Sequence, residues 1–163
     1  MIKIALTNLR KYNEGELVFE WVDLPCDDFE EVLERIGNPE ECFISDYECE
    51  IPNVEIHEYE NLEELNETAE ELEGLGSYEL KALTAIIEVN GSSIDDALST
   101  LNDGRYFFYE ADDFSEFIDL FIEDGYFGEL TDEVKEFLDY DKLTKYFQDR
   151  DYHLTSVGVI STY

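Results

Sequence analysis

The stretch Tyr12-Asn13-Glu14-Gly15-Glu16-Leu17-Val18-Phe19-Glu20-Trp21-Val22-Asp23-Leu24-Pro25 decides how the first third of the chain folds. Tyr12 to Gly15 are turn residues, with Gly15 free to take a positive φ. Leu17, Phe19 and Trp21 then alternate with Val18, Glu20 and Val22, as in a half-buried strand. Upstream, Ile2, Ile4 and Leu6 alternate with Lys3 and Ala5, so the chain opens strand, turn, strand. Downstream, Asp27 is placed to cap a helix, with Glu30 reaching back from its third position. Phe29, Val32, Leu33 and Ile36 form its apolar stripe and Gly37 ends it. Cys42-Phe43-Ile44-Ser45-Asp46-Tyr47 reads as a third strand. Residues 1–58 are therefore expected to form a small antiparallel sheet carrying one helix.

From Asn61 the apolar period changes from two to helical. Asn61 with Glu64 caps one helix, whose buried face is Leu62, Leu65, Ala69 and Leu72. Ser77 caps a second carrying Leu80, Leu83, Ile86 and Ile87, and Ser93 with Asp96 starts a short third carrying Ile94, Ala97, Leu98 and Leu101. Residues 59–103 read as a helical middle domain. Arg105-Tyr106-Phe107-Phe108-Tyr109 is a strand pattern, followed by a helix capped by Asp113 with Glu116 and carrying Phe114, Phe117, Ile118 and Phe121. Shorter helices fall around Val134-Phe137-Leu138 and Leu143-Tyr146-Phe147. The tail from Tyr152 has β character and is placed to pair with 105–109, completing a C-terminal α+β domain over 104–163. The expected fold class is α+β, as a row of three domains each small enough to need shared interfaces.

Function is bounded first by charge. The chain has 163 residues, and its 43 Asp and Glu face 10 Lys and Arg, for a net charge of −33. A content of 44% hydrophobic and 14% aromatic residues is too rich for a disordered acidic tail. Nucleic acid and anionic membrane are poor partners for such a charge, since any approach begins with repulsion. No segment approaches the ~20 apolar residues of a membrane span, and the N-terminal apolar run is too short for a secretory signal, so the chain reads as cytoplasmic. Cys26, Cys42 and Cys49 have no CxxC spacing and read as reduced, mostly buried small residues.

Catalytic signatures are missing. There is no P-loop, GxGxxG, GxSxG or HExxH, and His57 and His153 are far apart. No loop places a glycine at the sixth position of an EF-hand ligand pattern. With so many acids, some carboxylate pair always has glycosidase spacing, so that signal carries nothing. The reading is no enzyme, no cofactor and no metal.

The arrangement of the acids is the informative feature. Between Tyr12 and Leu80 stand 24 acids and one base, Arg35. The helix after Asn61 carries Glu63, Glu64, Glu67, Glu70, Glu71 and Glu73 with no Lys or Arg at any i±3 or i±4 position. Opposite pairs at that spacing gain ~0.2–0.5 kcal/mol each and like pairs lose as much. Retaining such repulsion implies a compensating use or a very salty setting. At one charge per ~1.7 Å of duplex axis, 33 charges match about 56 Å, or about 16 base pairs. A compact sphere with this charge repels itself strongly, so an extended row of domains is electrostatically easier.

Four segments carry a resemblance to a known family. Tyr12-Asn13-Glu14-Gly15 through Leu17 to Trp21-Val22-Asp23 resembles the N-terminal signature of ArdA-type antirestriction proteins. Phe43-Ile44-Ser45-Asp46-Tyr47-Glu48 is similar to the family's aliphatic-x-Asp-Tyr-Glu segment. Asn61-Leu62-Glu63-Glu64-Leu65-Asn66 and Phe137-Leu138-Asp139-Tyr140-Asp141 follow in the family's order. After Leu143 the family usually continues Ala-Arg-Asp-Leu, whereas this chain reads Thr144-Lys145-Tyr146-Phe147. The resemblance implies an elongated, curved protein of three domains that dimerises through its C-terminal part and imitates bent duplex DNA. Its implied partner is a type I restriction–modification enzyme, at the methyltransferase core built around the specificity subunit. The implied role is protection of incoming DNA by genes of plasmids, transposons and phages.

On that reading the candidate phosphate mimics are exposed acids of three capped helices. They are Glu30, Glu31 and Glu34, then Glu63, Glu67, Glu70 and Glu71, then Asp112, Asp113, Glu116, Asp119 and Glu123. Tyr12 and Trp21 read as turn and core residues, and Phe114, Phe117 and Phe121 as core with a possible share in a dimer interface. Three other readings stay open: an acidic binding module or chaperone for another basic or DNA-binding protein, a domain adapted to molar salt, and an enzyme with a hidden shifted-pKa pair.

Overall fold

The computed structural model describes residues 1–163. The chain is mixed α+β, with eight helices and two three-stranded antiparallel sheets. It divides into two compact units, Met1–Gly76 and Ser77–Tyr163. The three-part division is not confirmed, and the helical piece expected over 59–103 is shared between the two units.

In the first unit β1 (Ile2–Asn8) is the central strand, flanked antiparallel by β2 (Phe19–Leu24) and β3 (Cys42–Cys49). Ile4 stands opposite Val22 on one side and Tyr47 on the other. Ile2, Ile4 and Leu6 are buried, as their alternation requires, and Val22, Leu24, Val32, Ile36, Phe43 and Ile44 complete the core.

The link from β1 to β2 is more than the expected turn. A helix, α1 (Leu9–Asn13), precedes it, because Asn8 accepts a hydrogen bond at its Oδ1 from the Lys11 amide, 3.0 Å away. The same buried Asn8 donates from Nδ2 to the Ile36 carbonyl at 2.9 Å, satisfying an acceptor at the C-terminal end of α2 (Phe29–Arg35). Gly15 has φ +85°, the left-handed conformation the turn requires. Strand β2 starts at Phe19, leaving Leu17 exposed. The cap of α2 is Asp28 rather than Asp27. Asp28 accepts from the Glu31 amide at 3.0 Å, and Glu31 turns to Arg35 instead of reaching back. Helix α3 (Leu62–Gly74) begins where expected, with Asn61 accepting from the amides of Glu63 and Glu64. It lies beside β2, and Asn66 accepts from the Cys26 amide at 2.7 Å. All three cysteines are free and half-buried rather than buried. Trp21 is half-buried, and exposed Tyr12 sets its ring edge-on to Phe43 at 5.3 Å.

The second unit is built around α4 (Ser77–Asn90), whose residues Ala82 to Ile87 are buried without a break. A stripe of four apolar residues is too narrow for that position, so burial extends to Ala82, Thr84 and Ala85. Thr84 satisfies its hydroxyl by donating to the Leu80 carbonyl. Helix α5 (Ile94–Asn102), capped by Ser93, packs on α4. Strand β4 (Tyr106–Tyr109) pairs antiparallel with β6 (Val159–Thr162), as expected of the tail, and β5 (His153–Leu154) adds to the far side of β6. Helix α6 (Phe114–Glu123) is followed by α7 (Asp132–Lys135) and α8 (Tyr140–Gln148). The core is aromatic. The Phe117 ring lies 4.8 Å from Phe147 edge-on, and Phe121 lies 4.9 Å from Phe147. Phe114 is only half-buried at the margin of this core. No helix is long and apolar enough to cross a membrane.

Gly158 shows how closely the tail meets β4. A Cβ there would sit 2.3 Å from the Tyr109 carbonyl oxygen and 2.7 Å from the Phe108 ring. Neither the β4 backbone nor the buried ring can retreat, so Gly158→Ala should destabilise the second unit by about 3 kcal/mol. Urea unfolding followed by near-ultraviolet circular dichroism measures this, and an unchanged midpoint would contradict it.

Candidate functional site

Each acid singled out from the sequence is exposed, on or beside α2, α3 or α6. The geometry is clearest on α3. At 100° per residue, Glu63, Glu64, Glu67, Glu70 and Glu71 fall within about 120° of arc, while the buried Leu65, Thr68, Ala69 and Leu72 occupy the opposite side. Glu63 and Glu67 are separated along the axis by about 6 Å, as are Glu67 and Glu71. The amphipathic period that buries one side of this helix thus compels the acids into a ridge on the other.

The cations lie elsewhere. Arg35 is held between Glu20, with 2.8 Å from Nε to Oε1, and Glu31, also at 2.8 Å. The hydrogen bond to Glu20 leads in raising the Arg35 pKa, and the guanidinium charge is already paired. Lys3 pairs with Asp23, Arg10 with Glu14, Lys11 with Glu14 and Glu16, Lys81 with Glu110, Arg105 with Asp103, and Lys142 with Asp139. None of these pairs involves Glu63, Glu64, Glu67 or Glu70.

The structure separates the candidate acids into two kinds. Some hold the fold together. Asp113 caps α6 by accepting from the amides of Ser115 and Glu116, at 2.8 and 2.9 Å. Glu116 accepts from the Asp112 amide at 2.7 Å, one residue earlier than a capping box would place it. Asp119 accepts from the Tyr140 hydroxyl, and Glu31 engages Arg35. Glu30, Glu34, Glu63, Glu67, Glu70, Asp112 and Glu123 project into solvent without such duties. On α6, Glu116, Asp119 and Glu123 share one side because they are spaced three and four apart. His57 and His153 are both exposed and stand in different units.

Sequence reading missed a second concentration of function-capable groups, the tyrosines of the second unit. Burial is the leading cause that raises the phenols of Tyr78, Tyr106, Tyr109 and Tyr152, and Tyr109 is raised further by donating to Asp124 at 2.8 Å. For Tyr140 the hydrogen bond to Asp119 leads. The Arg105–Tyr109 pattern signals a strand, but the partners of its rings come from α4 and from the segment after α6, which no local pattern links.

These shifts have a definite sign. A phenol whose folded pKa exceeds its unfolded value of 10.0 contributes stability that is intact below pH 10.0 and is lost as pH rises beyond it. Alkaline titration followed at the phenolate absorbance should therefore show these tyrosines ionising together with the loss of near-ultraviolet circular dichroism. Ionisation completed while the second unit stays folded would contradict the assignment.

The family model described as Antirestriction protein (ArdA) matches residues 4–161 of the chain. No curated protein matches it.

Proposed function

Because the chain belongs to the ArdA family of antirestriction proteins, we propose that its exposed carboxylates stand in for DNA phosphates and that it competes with DNA for the binding groove of type I restriction–modification enzymes. The target surface is the methyltransferase core with its specificity subunit. The observation that carries this reading is the α3 ridge, in which acids at helical spacing face solvent with no cation among them, opposite a buried apolar side.

The physical case rests on how such enzymes hold DNA. Contacts to phosphate position the duplex, and contacts to base edges read it. A surface that offers only the phosphate-like half of that pattern engages the positioning contacts whatever sequence the enzyme recognises. A homodimer that offers its charges already prearranged would also avoid the ~1–6 kcal/mol needed to bend a duplex site. Acting in the cytoplasm of a recipient cell, it would shield the incoming DNA of plasmids, transposons or phages. The protein performs no chemistry in this role.

Binding of this kind is collective. Glu30, Glu31 and Glu34 on α2, Glu63, Glu67, Glu70 and Glu71 on α3, and Asp112, Asp113, Glu116, Asp119 and Glu123 around α6 each supply one charge of a distributed field. The acids without structural duties are the ones to test, since their loss leaves caps and ion pairs intact.

In a competition titration, a purified type I methyltransferase bound to a labelled duplex is challenged with this protein at low and moderate salt. Stoichiometric displacement that weakens as salt rises is expected. Glu67→Gln alone should raise the half-displacing concentration by less than about threefold, whereas Glu63, Glu67 and Glu70 changed together to Gln should raise it by more than about tenfold. A duplex that stays bound at large excess of folded protein would overturn the reading, and a single substitution abolishing displacement would replace the distributed field with a discrete site. Displacement of arbitrary DNA-binding proteins with equal potency would favour a general acidic binder.

A further inference from the structure

At the free edge of β4 the second unit holds a cavity of about 610 Å³, lined by none of the acids assigned above as phosphate mimics. Four of its ten lining residues are tyrosines, Tyr78 from α4, Tyr106 and Tyr109 from β4, and Tyr126 from the segment after α6. The rings are held in place. Tyr78 donates its hydroxyl to the Phe108 carbonyl at 2.6 Å, which also covers an acceptor on the strand edge. Tyr109 donates to Oδ2 of Asp124 at 2.8 Å. Tyr126, though exposed, stacks on Phe121 with centroids 4.2 Å apart and planes 21° from parallel.

Two carboxylates reach this cavity and they differ. Glu110 is paired with Lys81. Asp124 has no cation, and its Oδ1 is left to accept from an incoming group. Tyrosine rings attract cations over their faces through the negative side of the quadrupole. An anion would be repelled here, and an apolar ligand would strip water from Asp124 without replacing it. A cation satisfies both the rings and the carboxylate. Among cations, a guanidinium suits the site better than an ammonium, because it is flat, weakly hydrated, stacks on aromatic faces and donates through several N–H groups at once.

We propose that this cavity receives an arginine side chain of the basic partner, its guanidinium stacked against the tyrosine faces and donating to Asp124. The inference rests on the proposed function only for which protein supplies the arginine. It adds to a diffuse field of carboxylates one shaped pocket, which fixes the position at which the partner docks.

The test begins without any partner. N-acetyl-arginine amide is titrated into the full chain and followed by the tyrosine ring signals in NMR. Saturable binding is expected, stronger than for N-acetyl-lysine amide. Asp124→Asn, which can still accept from Tyr109, and Tyr126→Leu, which still covers Phe121, should each weaken it by about tenfold. Near-ultraviolet circular dichroism reports that each variant is folded, and Tyr59→Leu in the first unit should change nothing. A linear, unsaturable response, equal binding of the lysine amide, or unaltered binding by both pocket variants would overturn the proposal. The same variants then enter the duplex competition. Loss of amide binding with undiminished displacement would overturn the partner's use of the pocket. Saturable amide binding by a parent protein that displaces no duplex would leave the pocket standing and defeat the DNA-mimic reading instead.

Discussion

Repulsion among 43 carboxylates, opposed by only 10 cations, is the constraint to which the rest of the structure answers. The polar residues that are buried, Thr7, Asn8, Thr68, Thr84 and Ser161, are all uncharged. No acid is buried, so the large cost of burying an unpaired charge is avoided. Cohesion must come from apolar packing. The first unit supplies it with a sheet whose central strand is almost wholly buried, and the second with a helix buried along six consecutive residues and a cluster of edge-packed aromatics. The few cations are spent locally, as when Arg35 ties β2 to α2 through Glu20.

What could be read from the sequence follows from how local each signal is. Caps were legible because they depend on one side chain and amides two or three residues away, as at Asn61, Ser93 and Asp113. The pairing of the tail with residues 105–109 was legible because both segments carry β character and adjoining antiparallel strands are common. Helix α1 was missed because its cap, Asn8, ends a strand pattern and is recruited by a contact to Ile36, 28 residues away. The α2 cap falls on Asp28 and not on the adjacent Asp27, two residues equivalent in capping propensity. The grouping of α3 with the first unit accompanies its association with β2, which its own amphipathic period does not express.

The candidate site was legible to a different degree. That the acids lie outward on helices followed from their position opposite the apolar stripes, and the exposure of all of them accords with it. Which acids are free to meet a partner was not legible, because the distinction depends on hydroxyls and amides brought in by the fold. Asp119 looks like Glu123 in sequence, yet only Asp119 receives a tyrosine from α8. The tyrosine-lined cavity was hidden for the same reason, as its walls come from α4, from β4 with its flanks, and from the end of α6 with the segment after it. In sequence, Tyr106 and Tyr109 read only as part of a strand, and nothing singles out Tyr78 or Tyr126.

Asn8 has a consequence for how this molecule can be studied. Its one amide joins the end of β1 to the start of α1 and to the end of α2, using hydrogen bonds between uncharged groups in a buried place. A junction of that kind does not respond to ionic strength, whereas the carboxylate field around it is screened strongly within the ordinary laboratory range. Salt therefore weakens the field, and the ion pairs of Arg35 with it, while this junction keeps its hydrogen bonds.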